Sequence, residues 1–432
     1  MNWTEIDTWI VIIGSLCAAG CAVPGTILVL RRMSLMGDAI SHTVLPGIAI
    51  AFLVTGSRDP TAMLIGAVVI GLITAFLVQA IQTLGKVEIG ASMGIVFTVL
   101  FAFGLVLMRQ AIDHVDIDPD CVLNGAIEFA WFDQAPDGWG IPRGAYVNGV
   151  MLIANLFFML LFYKEFKITA FDPPLAKSQG IQPSFMHYML MTMTAATAVA
   201  AFETVGSILV VAMFIVPPAT AYLLTDRYGV LIILALVLAV ASAGLGHLSA
   251  ITVPTWFGYS GTTTAGAMAV AAGVLFLIAW MISPNQGLIS RILRNVETRA
   301  HVLREDVLGL LWRIEERNQG MLQSNDLPQL FGVTSRKVRL ALRRLLKQGA
   351  VQVTESSWTL TSEGRRRATT LVRSHRLWEV YLEQHYPQDT HQLHHAASRL
   401  EHVTTEAMKL ELGDADIDPH GSPVPDDEPV EE

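Results

Sequence analysis

Arg31-Arg32-Met33-Ser34-Leu35-Met36-Gly37-Asp38-Ala39-Ile40-Ser41-His42-Thr43-Val44-Leu45-Pro46-Gly47 joins two apolar runs and sets a carboxylate and an imidazole inside the second. The runs, at about 8–30 and 36–55, are each long enough to cross ~30 Å of hydrocarbon as a helix. On a helix, Asp38 and His42 stand four residues apart and share one face. A carboxylate oxygen with an imidazole nitrogen is a mixed hard and borderline ligand pair that suits Mn(II), Fe(II) or Zn(II). Ionisable groups inside a membrane are costly, so their presence points to a functional site. A plainer reading stays open, in which Asp38 caps the helix and His42 hydrogen-bonds a neighbour.

Outward from this stretch, the chain runs to 432 residues, 52% hydrophobic and 16% charged, with mean hydropathy +0.47. That is too apolar for a soluble protein and too charged for one wholly embedded in lipid. Charge divides by position: residues 1–287 hold 10 Lys/Arg and 16 Asp/Glu, while 288–432 hold 19 and 22. The boundary falls at Ser283-Pro284-Asn285-Gln286-Gly287. Further apolar stretches at about 61–82, 90–109, 146–163, 185–202, 205–224, 229–246 and 262–282 bring the expected spans to eight or nine. If the C-terminal region is cytoplasmic, Arg31, Arg32, Lys86, Lys164, Lys167, Lys177, Arg227, Arg291 and Arg294 lie inside and only Arg58, Arg109 and Arg143 outside. The positive-inside rule then favours nine spans with an external N-terminus.

In that orientation Asp113 to Gly144, with six aspartates, is an external loop, either an acidic vestibule for a cation or simply a solvated connection. The acidic N-terminus lacks the basic region and cleavage site of a secretory signal, so the first apolar run is expected to remain as a span. Cys17, Cys21 and Cys121 form no metal knuckle. Pro24-Gly25, Pro46-Gly47 and Pro217-Pro218 interrupt the spans, which is tolerated where helices line a cavity, although Gly and Pro are common in membrane helices generally.

The stretch Ser34-Leu35-Met36-Gly37-Asp38-Ala39-Ile40-Ser41-His42-Thr43-Val44-Leu45-Pro46-Gly47 resembles the signature of the ABC permease family for manganese, zinc and iron uptake. Phe171-Asp172-Pro173-Pro174-Leu175-Ala176-Lys177-Ser178-Gln179-Gly180 resembles that family's cytoplasmic coupling segment. Val205 to Met213, Ile215 to Ala221 and Ser283 to Leu288 resemble its later spans and last membrane exit. The resemblance implies a dimeric membrane domain made with a second copy or a sister subunit. It also implies an ATPase docked at Phe171, Asp172, Pro173, Ala176 and Gly180, an extracytoplasmic metal-binding lipoprotein, and metal contact by Asp38 and His42. No G-x-x-x-x-G-K-[ST] phosphate loop occurs in the sequence, so no nucleotide is expected on this chain and ATP hydrolysis is expected of a separate subunit.

Beyond Leu288 the periodicity changes to short amphipathic helices. Arg304 to Arg317, Ser324 to Phe331 and Thr334 to Lys347 read as three helices, with Gly332-Val333 a tight turn. Val351 to Thr354 and Trp358 to Thr361 alternate as two strands of a wing. This order predicts a winged helix-turn-helix over 297–362. Its third helix presents Ser335, Arg336, Lys337, Arg339 and Arg343 as candidate phosphate contacts, whether to DNA or to the anionic lipid beside a tethered domain. From Arg299 to Arg376 there are 15 basic and 7 acidic residues. Thr361 to His385 and Thr390 to Leu412 read as two more helices, and seven of the chain's twelve histidines lie between His375 and His420. His375 with Glu379, and His394, Ser398, Glu401 with His402, share helical faces, which is enough nitrogen and oxygen to enclose a divalent metal.

Residues 304–425 resemble the iron- and manganese-dependent repressors of the diphtheria toxin repressor family, through Arg373 to Glu379, Arg399 to Val403 and Asp418-Pro419-His420-Gly421-Ser422-Pro423-Val424-Pro425. The resemblance implies one metal site at His375, Glu379 and His394 and another at Asp306, Glu401 and His402. Ser398 stands where that family has Cys or Glu, and Gly309 where manganese-responsive members have Glu, so the second site is expected to be incomplete.

The sequence therefore predicts an all-α polytopic membrane domain of ABC metal-permease type at 1–290. A soluble winged-helix domain follows, then a helical metal-binding and dimerisation domain at 363–425 and an acidic disordered tail at 426–432. The expected function is metal import in a bacterial plasma membrane, with Mn, Fe or Zn as substrate and as effector of the tail. The alternatives are a membrane-tethered, metal-responsive DNA-binding regulator and an uncoupled secondary cation transporter.

Overall fold

In the computed structural model, Thr4 opens the first membrane helix with a capping box: its amide donates to the Asp7 carboxylate at 2.8 Å and its hydroxyl accepts from the Asp7 amide at 3.4 Å. Residues 3–56, 60–112, 127–133, 140–259, 261–284, 286–316, 334–354, 357–385 and 390–426 are described, and they divide into two compact units, Met1–Ser290 and Arg291–Glu432.

The first unit contains helices α1 (Glu5–Leu30), α2 (Leu35–Thr55), α3 (Pro60–Gly85), α4 (Ile89–Ile112), α5 (Arg143–Leu161), α6 (Tyr163–Phe171), α7 (Pro173–Ser178), α8 (Pro183–Leu224), α9 (Tyr228–Thr252) and α10 (Thr264–Ile282). Among the described residues nine segments are long and apolar enough to cross a membrane. Two of them, expected as separate spans, form the single 42-residue element α8, kinked at Gly206, whose φ of 77° and ψ of 169° only glycine adopts without strain.

Helix α1 packs against α5, α8 and α9, while α2 lies against α3, α4 and α8. Lipid gives no hydrophobic drive between helices, so contact depends on small residues and buried polar bonds. A Cβ on Gly47 of α2 would collide with the Gly66 carbonyl of α3, and one on Gly25 of α1 with the Phe214 carbonyl of α8. Asn155 of α5 donates to the Gly20 carbonyl at 3.0 Å and to the Thr197 hydroxyl at 2.7 Å, tying α1, α5 and α8 together. Cys17 and Cys21 are buried in this core. Most of the acidic segment 113–144, with Cys121, lies outside the described residues.

The second unit contains α11 (Leu288–Glu316), α12 (Ser335–Lys347), the antiparallel pair β1 (Val351–Thr354) and β2 (Ser357–Leu360), α13 (Ser362–His385), α14 (Thr390–Leu400) and α15 (Glu406–Leu412). Val307, Leu311, Val338, Leu342, Leu345 and Leu360 close its core. The helix expected at Ser324 to Phe331, its turn and the acidic end 427–432 lie outside the described residues.

Two expectations are corrected. The helix expected from Arg304 starts at Leu288, because the four-residue spacing of apolar positions persists upstream with no breaker after Gly287. The helix expected over Thr390 to Leu412 breaks: Glu401–Val403 is a 3-10 turn, Thr404 is extended, and the Thr405 hydroxyl accepts from the Met408 amide at 3.4 Å to begin α15. A side-chain oxygen that caps a new start competes with continuing the old helix.

Candidate metal sites

Asp38 is the fourth residue of α2, half-buried, and one turn past the N-cap Ser34, whose side chain makes no capping bond. Asp38 thus lies in the first turn of α2, where a carboxylate also favours the positive end of the helix. Gly37 in the same turn faces α8 beyond its kink: a Cβ there would stand 3.2 Å from Cβ of Phe214. One turn on, Thr74 of α3 donates to Thr43 at 3.0 Å in a buried bond. His42 lies on the same helix, its side chain outside the described set.

The segment singled out for docking is two short helices at an elbow. Asp172 ends α6 and caps α7, accepting from the Leu175 amide at 2.9 Å, with Pro173 at the first helical position where its missing N–H costs nothing. Ala176 is buried and holds α7 down, while Phe171 and Leu175 are 60% and 46% exposed. Gly180, at φ 82°, turns the chain towards α8.

In the second unit, α13 and α14 bring three ligand atoms together. His375 Nε2 lies 3.1 Å from Glu379 Oε1 and 3.0 Å from His394 Nδ1, and His394 Nδ1 lies 2.8 Å from Glu379 Oε1. His420 Nε2, 3.5 Å from the same oxygen, adds a third nitrogen and a fourth ligand atom. No role is expected of His420 from the sequence. Its signal was the Asp418-Pro419-His420-Gly421 turn, in which Asp418 accepts from the amides of His420 at 2.9 Å and Ser422 at 2.7 Å.

The second cluster gathers Asp306, Glu401 and His402, with His402 Nε2 3.2 Å from Asp306 Oδ1 and 3.5 Å from Glu401 Oε1. The opposite ring nitrogen of His402 meets Glu305 Oε2 at 2.8 Å, and Glu305 also meets His301 at 3.3 Å. Glu305 was missed, although its spacing of four from His301 and its place beside Asp306 marked it. Gly309 packs beneath Leu371, whose Cδ2 is 3.4 Å from where a Cβ would sit, so apolar packing occupies that position.

Glu401 joins the two clusters. Its Oε2 lies 2.7 Å from His375 Nδ1, yet the two atoms are not aligned as a hydrogen bond and both are buried without another partner. A carboxylate behind a metal-binding imidazole fixes the ring and raises its basicity.

Burial opposes charge on His402, but its bonds to Asp306 and Glu305 and the nearby Glu401 charge outweigh that, pushing its pKa up to about 10. Burial likewise opposes a charged Glu379, and the bonds from His375 and His394 bring its carboxyl down to about 2. His375 is raised, with Glu379 and Glu401 overcoming its burial. Nitrogen and oxygen ligands converging this closely, with an orphaned buried pair behind them, fit a divalent transition-metal ion.

Arg376 anchors the turn that carries His420. Buried, it donates to Glu316 at 2.9 and 2.6 Å and to the Pro423 carbonyl, and it lies 3.4 Å from Asp418. Arg376→Ala is expected to destabilise this unit by about 3–5 kcal/mol, because two carboxylates lose their partner in a largely buried setting. Faster hydrogen exchange across α13 in the intact chain is the measurement.

The family model of the ABC 3 transport family matches residues 4–283, well over half of the chain. The chain belongs to this family. A second model, the iron dependent repressor, metal binding and dimerisation domain, matches residues 361–426. The ABC 3 chain is 43% identical over 294 residues to the manganese transport system membrane protein MntD of Bacillus subtilis, covering 68% of this chain and 97% of that one. It is 34% identical over 361 residues to the zinc transport system membrane protein TroD of Treponema pallidum, covering 82% and 96%. That second match covers more of the chain than the membrane unit contains, so the likeness reaches into the tail. Among solved structures, PsaBC from Streptococcus pneumoniae in complex with Fab superposes with a TM-score of 0.54 at 30% identity, covering 66% of this chain and 94% of that one.

Proposed function

We propose that this chain is the membrane-spanning subunit of an ATP-driven importer for Mn(II), Zn(II) or Fe(II), regulated by its own repressor-like tail. The family match over 4–283 carries the reading; its relatives name manganese and zinc, and the model that matches the tail names iron. Those relatives are named as transport membrane proteins, which favours a transporter over a tethered regulator.

In this reading the protein sits in a bacterial plasma membrane, N-terminus outside and tail inside, and pairs with a second permease subunit. An external lipoprotein delivers the ion, which passes Asp38 and His42, and an ATPase subunit docks on Phe171, Asp172, Pro173, Ala176 and Gly180. The exposed apolar side chains of Phe171 and Leu175 support that docking role, since a coupling element must offer a surface for a partner to grip. In the tail, His375, Glu379, His394 and His420 would hold one ion and Asp306, Glu401 and His402 another. Arg336, Lys337, Arg339 and Arg343, exposed on α12 with Val338, Ala341, Leu342 and Leu345 turned inward, offer four cations to DNA or to anionic lipid; Ser335 begins the same helix.

Metal that binds the tail better in one transporter state shifts the population towards that state, and this suffices for feedback inhibition. The test is ATP-dependent uptake of radiolabelled Mn(II) into proteoliposomes containing the ATPase subunit, comparing the intact chain with a truncation after Gly287. Uptake that saturates in both and is inhibited by internal metal only in the intact chain is expected. Equal inhibition of both would remove the sensor, and no ATP-dependent uptake of any of the three metals would remove the transport reading.

A further inference from the structure

At the end of α1 the chain does something costly. Arg32 N–H donates to the Val29 carbonyl at 3.0 Å and Met33 N–H to the Leu28 carbonyl at 2.8 Å, the paired bonds of a Schellman motif. Arg32 occupies its left-handed position with φ 58°, where glycine is the usual residue. A side chain kept at a strained position points to a use for it. Arg31 and Arg32 both line a cavity of about 440 Å³ with Gln79 and Gln82 of α3 and Ser184 and His187 of α8.

The cavity lining has donors and positive charge, and it contains no Asp or Glu. Neither arginine has a carboxylate partner among the described residues. Gln82 Nε2 is buried with no hydrogen-bond acceptor. Ser184 is the second residue of the first half of α8, which runs to the kink at Gly206 and whose N-cap Gln182 supplies no side-chain bond, so the positive end of a helix faces the same space. Two guanidinium groups repel a divalent cation, which excludes this cavity from the metal path and suits it to an anion. It opens where Leu30 ends one candidate span and Pro183 begins another, the end of a span being where headgroups meet a membrane protein.

We propose that this cavity binds a phosphate group, supplied by an acidic phospholipid headgroup or by free phosphate. The two guanidinium groups hold its oxygens, the Gln82 amide donates from the side and the α8 terminus faces it. The site is separate from the metal ligands and borders Pro173 of the segment proposed to dock the ATPase.

The test uses the intact chain in detergent. Retention of added phosphatidylglycerol is followed by native mass spectrometry, and inorganic phosphate is titrated by calorimetry. The variants are Arg32→Gly and Gln82→Leu. Arg32→Gly relieves the left-handed strain while deleting a charge, so it is expected to melt at or above the wild-type temperature yet bind about tenfold more weakly, the loss of one charged hydrogen bond. Gln82→Leu is expected to weaken binding in the same direction. Retained lipid that millimolar phosphate does not displace identifies the headgroup as the source. Displacement, or binding of phosphate alone, identifies free phosphate. Binding of neither probe by the wild type, or equal binding by wild type and Arg32→Gly, overturns the proposal.

Discussion

Asp38→Asn is expected to reduce ATP-dependent metal uptake by at least about 100-fold while leaving association with the ATPase subunit and the amount of folded protein unchanged. Loss of groups that merely orient a ligand typically costs ten- to a hundredfold in metal affinity, so loss of the ligand charge itself should cost no less. The substitution keeps shape and hydrogen-bonding capacity at this half-buried position, so the amount of folded protein should hold. Gly37 beside it packs against Phe214, just past the kink at Gly206. A change in the kink would therefore move the part of α8 that this turn of α2 packs against, a physical route by which a transporter state could alter ion affinity. Radiolabelled Mn(II) uptake with a pull-down of the ATPase subunit checks both halves. Normal uptake by Asp38→Asn would end the ligand assignment.

Much of the membrane unit was legible because a span needs about twenty apolar residues in a row, a signal that survives any tertiary arrangement. The kink at Gly206 was not, because one glycine inside an apolar run looks the same whether the helix bends or continues. The two tail clusters, His375, Glu379 and His394 and Asp306, Glu401 and His402, were legible, since helical spacing and resemblance carry them. The junction was hidden. Glu401 reaches His375 as well as His402 only because the helix stops at Leu400, and that stop depends on the Thr405 hydroxyl competing for a backbone amide, a contest that local sequence does not decide. His420 and Glu305 required the fold, since the first is set by a turn pinned to Arg376 and the second lies behind an imidazole from a distant helix.

Metal binding by the tail is expected to tighten steeply with pH and to release protons. His402, with its pKa raised to about 10, is protonated at pH 7 in the metal-free chain, and a ligand imidazole must be neutral. Each displaced proton makes the apparent affinity rise about tenfold per pH unit below the folded pKa. Stability of the metal-free unit should move the other way. A raised histidine stabilises fully below its unfolded value of 6.5, and that contribution disappears as pH climbs towards 10. The depressed Glu379 contributes above its unfolded value of 4.5, and its share is lost as pH falls towards 2. The metal-free tail should therefore be most stable between those two unfolded values and weaken into the alkaline range, where metal binds best. Calorimetry in two buffers of different protonation enthalpy, on the intact chain and on Glu401→Gln, reads the proton count. One or more protons released per tail-bound ion is expected for the wild type, and fewer for Glu401→Gln, because the substitution removes the negative charge that both His375 and His402 face. Equal proton release by the two chains would mean that Glu401 does not link the clusters, and zero release by the wild type would mean that His402 is not a ligand.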